Sequence, residues 1–303
     1  MSTGATGGIV GGDGGRLLAI DIGGTKLAAG IVDANGSILD RGQRPTEGNG
    51  SADDLFADLR QLLEDLSWRA VPLVACGVGC GGPMTAGGEQ VSPVNIAAWR
   101  GFRLRARLAE LTGLPVFVDN DAKALALGEG WKGAAVGVSD YVGMVVSTGV
   151  GGGIVLDGRM LDGAQGNAGH IGHLVVAPDG RDCACGGRGC LEAEASGTAI
   201  AAITGRPAKE ASAEVRQRTG RLVGLAIASV ANLLDLKLAV VAGSVALGFG
   251  DPFFAAAQAE IDVRARLEFA RGTAIRPAAL GADGPLVGAA AVGWRGLGRR
   301  VLA

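Results

Sequence analysis

From Arg16 onward, apolar and polar positions follow short periods broken by glycine. "RLLAIDIGGTKLAAGIVDANGSILDRG" reads as strand, glycine turn, strand, polar turn, strand, with Asp33 to Gly36 as the hairpin signal. The period then lengthens. Ser51 followed by Asp54 forms a capping pair, and Leu55, Leu59, Leu62, Leu63 and Leu66 make one apolar helical stripe. "LVACGVGC" (73–80) and "PVFVDN" (115–120) are uniformly apolar enough for buried strands. "DAKALALGEGW", which follows at once, is rich in helix formers and begins at Asn120 or Asp121.

The opening pattern is then partly repeated. "MVVSTGVGGGIVLDGRML" (144–161) again runs strand, polar glycine turn, strand, and its "GGGIVLDG" resembles the earlier "AAGIVDANG". A β-turn-β unit in each half is the signature of a duplicated fold. Beyond it the periods predict helices at 196–203 and 207–234 and a strand at 238–243. A helix at 252–268, a strand at 273–277 and a last helix at 285–297 complete the order. Strands interleaved with helices predict an α/β protein. We divide it at 1–15 as a flexible glycine-rich tail and 16–119 as an N-terminal α/β domain, completed by a C-terminal helix within 285–303. Residues 120–284 form the second α/β domain.

Composition narrows the function. The 303 residues carry a net charge of −2, which gives no electrostatic footprint for nucleic acid or an anionic membrane. The longest uncharged stretch, Tyr141 to Leu156, is broken by five glycines and is too short to span a bilayer. "MSTGATGGIVGGDGG" lacks the basic and apolar regions of a secretory signal, so a cytoplasmic protein with reduced thiols is expected. Cys76 and Cys80 lie in an apolar run and read as small buried hydrophobes.

Three features carry candidate chemistry. Asp21 to Lys26 sits at a strand end, where the N–H groups of a glycine turn can wrap phosphate oxygens. Thr25 would add a hydroxyl, Lys26 a cation and Asp21 a water-mediated hold on magnesium. Ser147 to Gly153 offers a second such turn; ordinary glycine hairpins are the plain alternative for both. Asn120 and Asp121 stand where a strand gives way to a helix. There Asp121 is equally well read as an N-cap or as the acceptor of a substrate hydroxyl proton. Third, Cys183, Cys185 and Cys190, with His173 ten residues upstream of the first, supply three thiolates and an imidazole. That donor set fits a closed, four-coordinate structural zinc site in the loop 173–190.

Taken in order, "DIGGTK", "NDAKALALGE", "VSTGVGGG", "AGHIGH", "CACGGRGCLEA" and "VVAGSV" resemble the ROK family (repressor, open reading frame, kinase). The resemblance runs from about Leu17 to the C-terminus. It implies an actin-like, ribonuclease-H-like ATPase: two duplicated domains closing on an interdomain cleft. It further implies an ATP- and magnesium-dependent sugar 6-phosphotransferase with a structural zinc, acting on a small sugar, and a homodimer.

The implied roles fall on particular residues. Asp21, Gly23, Gly24, Thr25 and Lys26 match the first phosphate loop, and Ser147, Thr148, Gly149, Gly151 and Gly152 the second. Asp121 matches the catalytic base. Asn95, Asn120, His170, His173 and Glu192 match sugar contacts, and His173 also joins Cys183, Cys185 and Cys190 as a zinc ligand.

His170 replaces a Glu common in glucokinases of the family. A neutral imidazole can donate one hydrogen bond and accept another, so it can donate to an acetamido carbonyl where an ionised Glu cannot. The "AGHIGH" form resembles bacterial N-acetylmannosamine kinases, which makes that sugar the expected substrate and glucose the alternative. Polyphosphate is an alternative donor. The family's sugar-sensing repressors carry an N-terminal helix-turn-helix, for which the fifteen or so residues before the first strand offer no basic recognition helix.

Overall fold

The computed structural model of the chain describes residues 14–46 and 50–303. The predicted flexible tail lies outside the described residues except at its end. There the Gly14 carbonyl accepts a hydrogen bond from the Arg299 guanidinium.

The first sheet is built from β1 (Arg16–Ile22), β2 (Lys26–Asp33) and β3 (Ile38–Pro45) as an antiparallel meander. After α1 (Ala52–Asp65) comes β4 (Ala75–Cys80), and after α2 (Leu104–Thr112) comes β5 (Val116–Asn120). The order is β3-β2-β1-β4-β5, with β4 and β5 parallel to β1. The chain then enters α3 (Asp121–Lys132) and begins again with β6 (Tyr141–Val146), β7 (Val150–Leu156) and β8 (Arg159–Met160). A long loop leads to α4 (Leu191–Ala195), α5 (Gly197–Thr204) and α6 (Ala213–Leu234). β9 (Leu238–Ala242), α7 (Ser244–Phe249), α8 (Asp251–Arg264), β10 (Ala274–Pro277) and α9 (Gly284–Gly296) follow. The second sheet runs β10-β9-β6-β7-β8, again a meander with two parallel strands on the side of its first strand. The duplication hinted at by one repeated hairpin therefore extends to all five strands.

Strand alternation distributes the core. Leu18, Ile20 and Ile22 of β1 pack with α1 and α2, while Leu17 and Ala19 point the other way, into a layer shared with α3 and α9. In β6, Val142, Met144 and Val146 pack with α6 and α8, while Tyr141 joins that shared layer. The layer is thin because its residues are small. A methyl on Gly77 would strike the Ala289 carbonyl of α9, and one on Gly288 would lie 2.5 Å from the Ala124 carbonyl of α3. Many of the chain's 54 glycines serve such close approaches.

Several predicted bounds shift. The helix expected at 207–234 begins at Ala213, because Pro207 opens a separate 3-10 turn and Ser212 caps the Val215 N–H. The helix expected at 196–203 is α5, and Ser196 serves both as its N-cap and as the C-cap of the short α4 before it. The helix placed at 252–268 stops at Arg264, whereas the last helix, expected at 285–297, runs Gly284–Gly296. The strand expected from 144 starts at Tyr141. α2, α4 and α7 were not anticipated. No helix among the described residues is long and apolar enough to cross a membrane.

Candidate active site

Parallel strands β1, β4 and β5 end side by side, and their ends organise the acids. Asp21 of β1 is in register with Gly79 of β4, which is in register with Asp119 of β5. Gly79 has no side chain to fill the gap. A Cβ there would be 3.6 Å from both the Asp21 carboxylate and the Asp121 Cα. The two acids therefore face one small space. Burial, reinforced by the Asp121 charge and opposed by Lys26, pushes the Asp21 carboxyl up to about 7. Asp121 is reachable from the cleft but walled by protein, and burial raises its pKa against the lowering effect of a hydrogen bond from the Ala122 N–H.

Asp121 is not the helix cap. That role belongs to Asn120, whose Oδ1 accepts from the N–H groups of Ala122 (3.0 Å) and Lys123 (3.3 Å). The cap occupies Oδ1 and leaves the Asn120 Nδ2 to donate elsewhere. It faces Gly82: a Cβ on Gly82 would lie 3.2 Å from Asn120 Nδ2 and 3.7 Å from His170 Nε2. Asn120, at the end of β5, and His170, in the loop after β8, thus converge on one glycine. Burial, with His173 nearby, lowers the His170 pKa, which favours the neutral ring. Asn95 borders the same space, lying against Gly24 so closely that a Cβ on the glycine would be 2.5 Å from that of the asparagine.

The two glycine turns differ in detail from what their sequences suggest. The Gly23 N–H is taken by the Lys26 carbonyl (2.9 Å), and the Ser147 N–H by Gly149 (2.9 Å). The N–H groups of Gly24 and Thr25, and of Thr148 and Gly149, have no acceptor among the described residues. Those four can receive an anion. Thr25 and Lys26 are exposed beside them. Gly151 and Gly152 lie inside β7, and Gly152 makes room for Ile171 and the Gly169 carbonyl. The second turn is braced from outside by Gly197 N–H to Ser147 carbonyl (2.7 Å), Thr198 Oγ1 to Thr148 carbonyl (3.0 Å) and a Ser147–Ser244 hydroxyl pair (3.0 Å).

His173, Cys183, Cys185 and Cys190 come together with all ligating atoms within 4.8 Å of one another. His173 Nδ1 is 3.7 Å from Cys183 Sγ, and Cys185 Sγ is 3.8 Å from Cys190 Sγ. For metal–sulfur bonds of about 2.3 Å, a tetrahedron has edges of about 3.8 Å, so the donors fit a four-coordinate ion. Cys76 and Cys80 are fully buried in the first sheet and far from this role. Glu192, two residues past Cys190, accepts the Val150 N–H at 2.8 Å with Oε2. One of its oxygens is therefore committed to the second glycine turn.

The sequence did not reveal Asn167, whose amide group bonds both the N–H and the carbonyl of Met84 (3.3 and 2.9 Å) across the cleft. Nor did it reveal Lys123, buried beside Asp119 and Asp162. Asn167 has no local motif, and Lys123, though inside "NDAKALALGE", gives no local sign of Asp162; each acts only once distant segments meet.

With this geometry in hand, a family model, described as the ROK family, matches residues 17–294. The chain belongs to the ROK family. An N-acetylmannosamine kinase of Citrobacter koseri is 40% identical over 250 residues, covering 77% of this chain and 84% of that protein. A ROK hexokinase from Thermus thermophilus superposes with a TM-score of 0.78 at 32% identity, covering 93% of this chain and 99% of the other. A Streptomyces griseus ROK glucokinase, solved with glucose and AMPPNP, superposes with a TM-score of 0.81 at 29% identity. It covers 93% of this chain and all of the other. The fold of this ROK protein is the duplicated actin-like ATPase fold.

Proposed function

We propose that this ROK protein is an ATP-dependent sugar kinase that phosphorylates the 6-hydroxyl of a hexose or N-acylhexosamine, N-acetylmannosamine first among them. One observation carries the reading. The Asp21 carboxylate and the Asp121 Cα flank Gly79, close enough for the Asp121 charge to raise the Asp21 pKa, and Asn120 and His170 converge on Gly82. The Citrobacter koseri kinase supports N-acetylmannosamine, and the Streptomyces griseus enzyme supports glucose as the alternative.

The residues divide the work. Asn120 Nδ2 donates to a sugar hydroxyl, with Asn95 and Glu192 holding others. His170 donates to the acyl carbonyl, and the outward Nε2 of His173 reaches the same sugar. Asp121 accepts the proton of the 6-hydroxyl as its oxygen attacks the γ-phosphorus and the bond to ADP breaks. Positioning and charge stabilisation supply most of the rate in such transfers. Gly24, Thr25, Thr148 and Gly149 offer N–H donors, and Lys26 a cation, to the phosphate oxygens.

A magnesium ion near Asp21 would neutralise phosphate charge and draw that carboxyl back to its ionised form. Zinc on His173, Cys183, Cys185 and Cys190 would be architectural, since four protein ligands leave no open position. A homodimer in the cytoplasm completes the proposal; sedimentation tests the former.

ADP release by metal-loaded protein with magnesium and ATP, across N-acetylmannosamine, N-acetylglucosamine, glucose and mannose, tests the reading. Selective turnover of N-acetylmannosamine is expected. Preference for glucose would move the protein to the alternative, and silence with every sugar would overturn the kinase reading.

A further inference from the structure

Beside the catalytic acid lies a closed ring of four charges. Lys123, on the first turn of α3, has only 2% of its side chain exposed. Its ammonium contacts Asp119 Oδ1 at 3.0 Å, Asp162 Oδ1 at 2.7 Å and the Gly166 carbonyl at 3.2 Å. Three donors meet three acceptors, so the buried cation is fully satisfied. Arg295 of α9 closes the ring, reaching Asp119 Oδ2 at 3.2 Å and Asp162 Oδ2 at 2.5 Å. Two carboxylates balance two cations. A buried charge is tolerable when paired in this way, and removing one partner leaves the others uncompensated.

The ring's members sit at informative places. Asp119 ends β5 in the first sheet, and its Oδ1 also accepts the Asn120 N–H at 2.8 Å. Asp162 follows β8 in the second sheet and opens the loop that ends at His170. Within that loop the Asp162 carbonyl accepts the Ala168 N–H, and Gly166 rests on Lys123. One side of the ring therefore fixes the strand end that presents Asn120 and Asp121. The other fixes the loop that presents His170. Lys123 touches both and lies on neither wall of the pocket.

We infer that Lys123 is a positioning and specificity residue: its ammonium sets the span between the Asn120 wall and the His170 wall, and hence the size and shape of the sugar that fits. A sugar bearing an acyl group needs His170 at a fixed reach from the hydroxyls held by Asn120. Loosening Asp162–His170 blunts that discrimination before it affects proton transfer at Asp121. The inference rests on the sugar-pocket reading given above.

Lys123→Met keeps the length and apolar stem of the side chain and removes the three contacts. Asp162→Asn, at a side chain 47% exposed, weakens the loop end while leaving the Lys123–Asp119 and Arg295–Asp119 pairs in place, and guards against a misfolded first variant. In both, the sugar KM should rise, by tenfold or more in Lys123→Met and less in Asp162→Asn. The ATP KM should stay within about twofold, and the KM ratio between N-acetylmannosamine and glucose should move toward one. Amide exchange at 166–170 should quicken without sugar present. A purely structural role predicts lower melting temperature and a smaller active fraction, with unchanged KM and unchanged sugar preference; that result overturns the inference. A wild-type protein silent with every sugar would instead overturn the kinase reading, and unchanged exchange at 166–170 would still overturn the tether on its own.

Discussion

The β1–β2 turn and the β6–β7 turn occupy equivalent places in two sheets of the same strand order, yet they have been fitted out differently. The first carries its own charge. Asp21 stands before it and Lys26 after it, and Thr46 supports it from outside, its hydroxyl on the Gly23 carbonyl at 2.8 Å and its N–H on the Thr25 carbonyl at 3.0 Å. The second is uncharged and is braced by Gly197, Thr198, Ser244 and Glu192, all brought from later in the chain. A repeated backbone sets where a turn points. The side chains around it decide whether the turn supplies charge or only oriented N–H groups.

The largest effect should come from the acid that the first sheet presents and the second does not. Asp121→Asn keeps the shape but cannot accept a proton. Turnover should fall about a hundred- to ten-thousand-fold with sugar affinity nearly unchanged, measured by steady-state kinetics alongside calorimetric sugar binding. Near-normal turnover would remove Asp121 as the base. Next comes the metal loop, which leads directly to Glu192 and through it to Val150 of the second turn. Cys185→Ser, or chelation, should release bound zinc, lower the melting temperature by several degrees and speed amide exchange at Val150 while leaving Gly24 unchanged. Equal quickening at both turns would break the asymmetry.

Smaller still should be the effect of a single methyl on each turn. On Gly149 it would come within 2.7 Å of Glu192 Oε2, and on Gly24 within 2.5 Å of Asn95. Gly149→Ala should therefore raise the ATP KM several-fold, and Gly24→Ala should raise the sugar KM as well, because it displaces Asn95. The smallest signal is in stability against pH. The Asp21 carboxyl, raised from 3.8 to about 7, binds its proton more tightly folded than unfolded. Stability of magnesium-free protein should therefore increase as pH falls from above 7 toward 4, and be lost again as pH rises. Asp21→Asn should flatten that slope, and magnesium should diminish it. A melting temperature independent of pH from 5 to 8 in the wild type would argue against a raised carboxyl.

The site was legible in sequence where its parts are local. The zinc ligands fall within eighteen residues, and both glycine turns announce themselves by composition beside period-two strands. Asn120 could be read as a cap-forming residue, but only the backbone shows that it, and not Asp121, caps α3. α2 escaped notice because Arg103 gives no side-chain cap at its start, although Gly113 in the left-handed region marks its end. The charge ring joins residues 119, 123, 162 and 295, so no window of sequence contains it. The Glu192–Val150 bond spans 42 residues and was hidden for the same reason.

The crossing of α3 and α9 at Gly128 and Gly288, where a Cβ on Gly128 would lie 3.0 Å from the Gly288 Cα, bears on how such a cleft opens. Sliding one helix along the other would drive Ala124 and its neighbours into backbone with no side chain to yield. Swivelling about the contact keeps the two backbones at the same distance. The glycine pair therefore works like an axle for the two helices, resisting translation more than rotation.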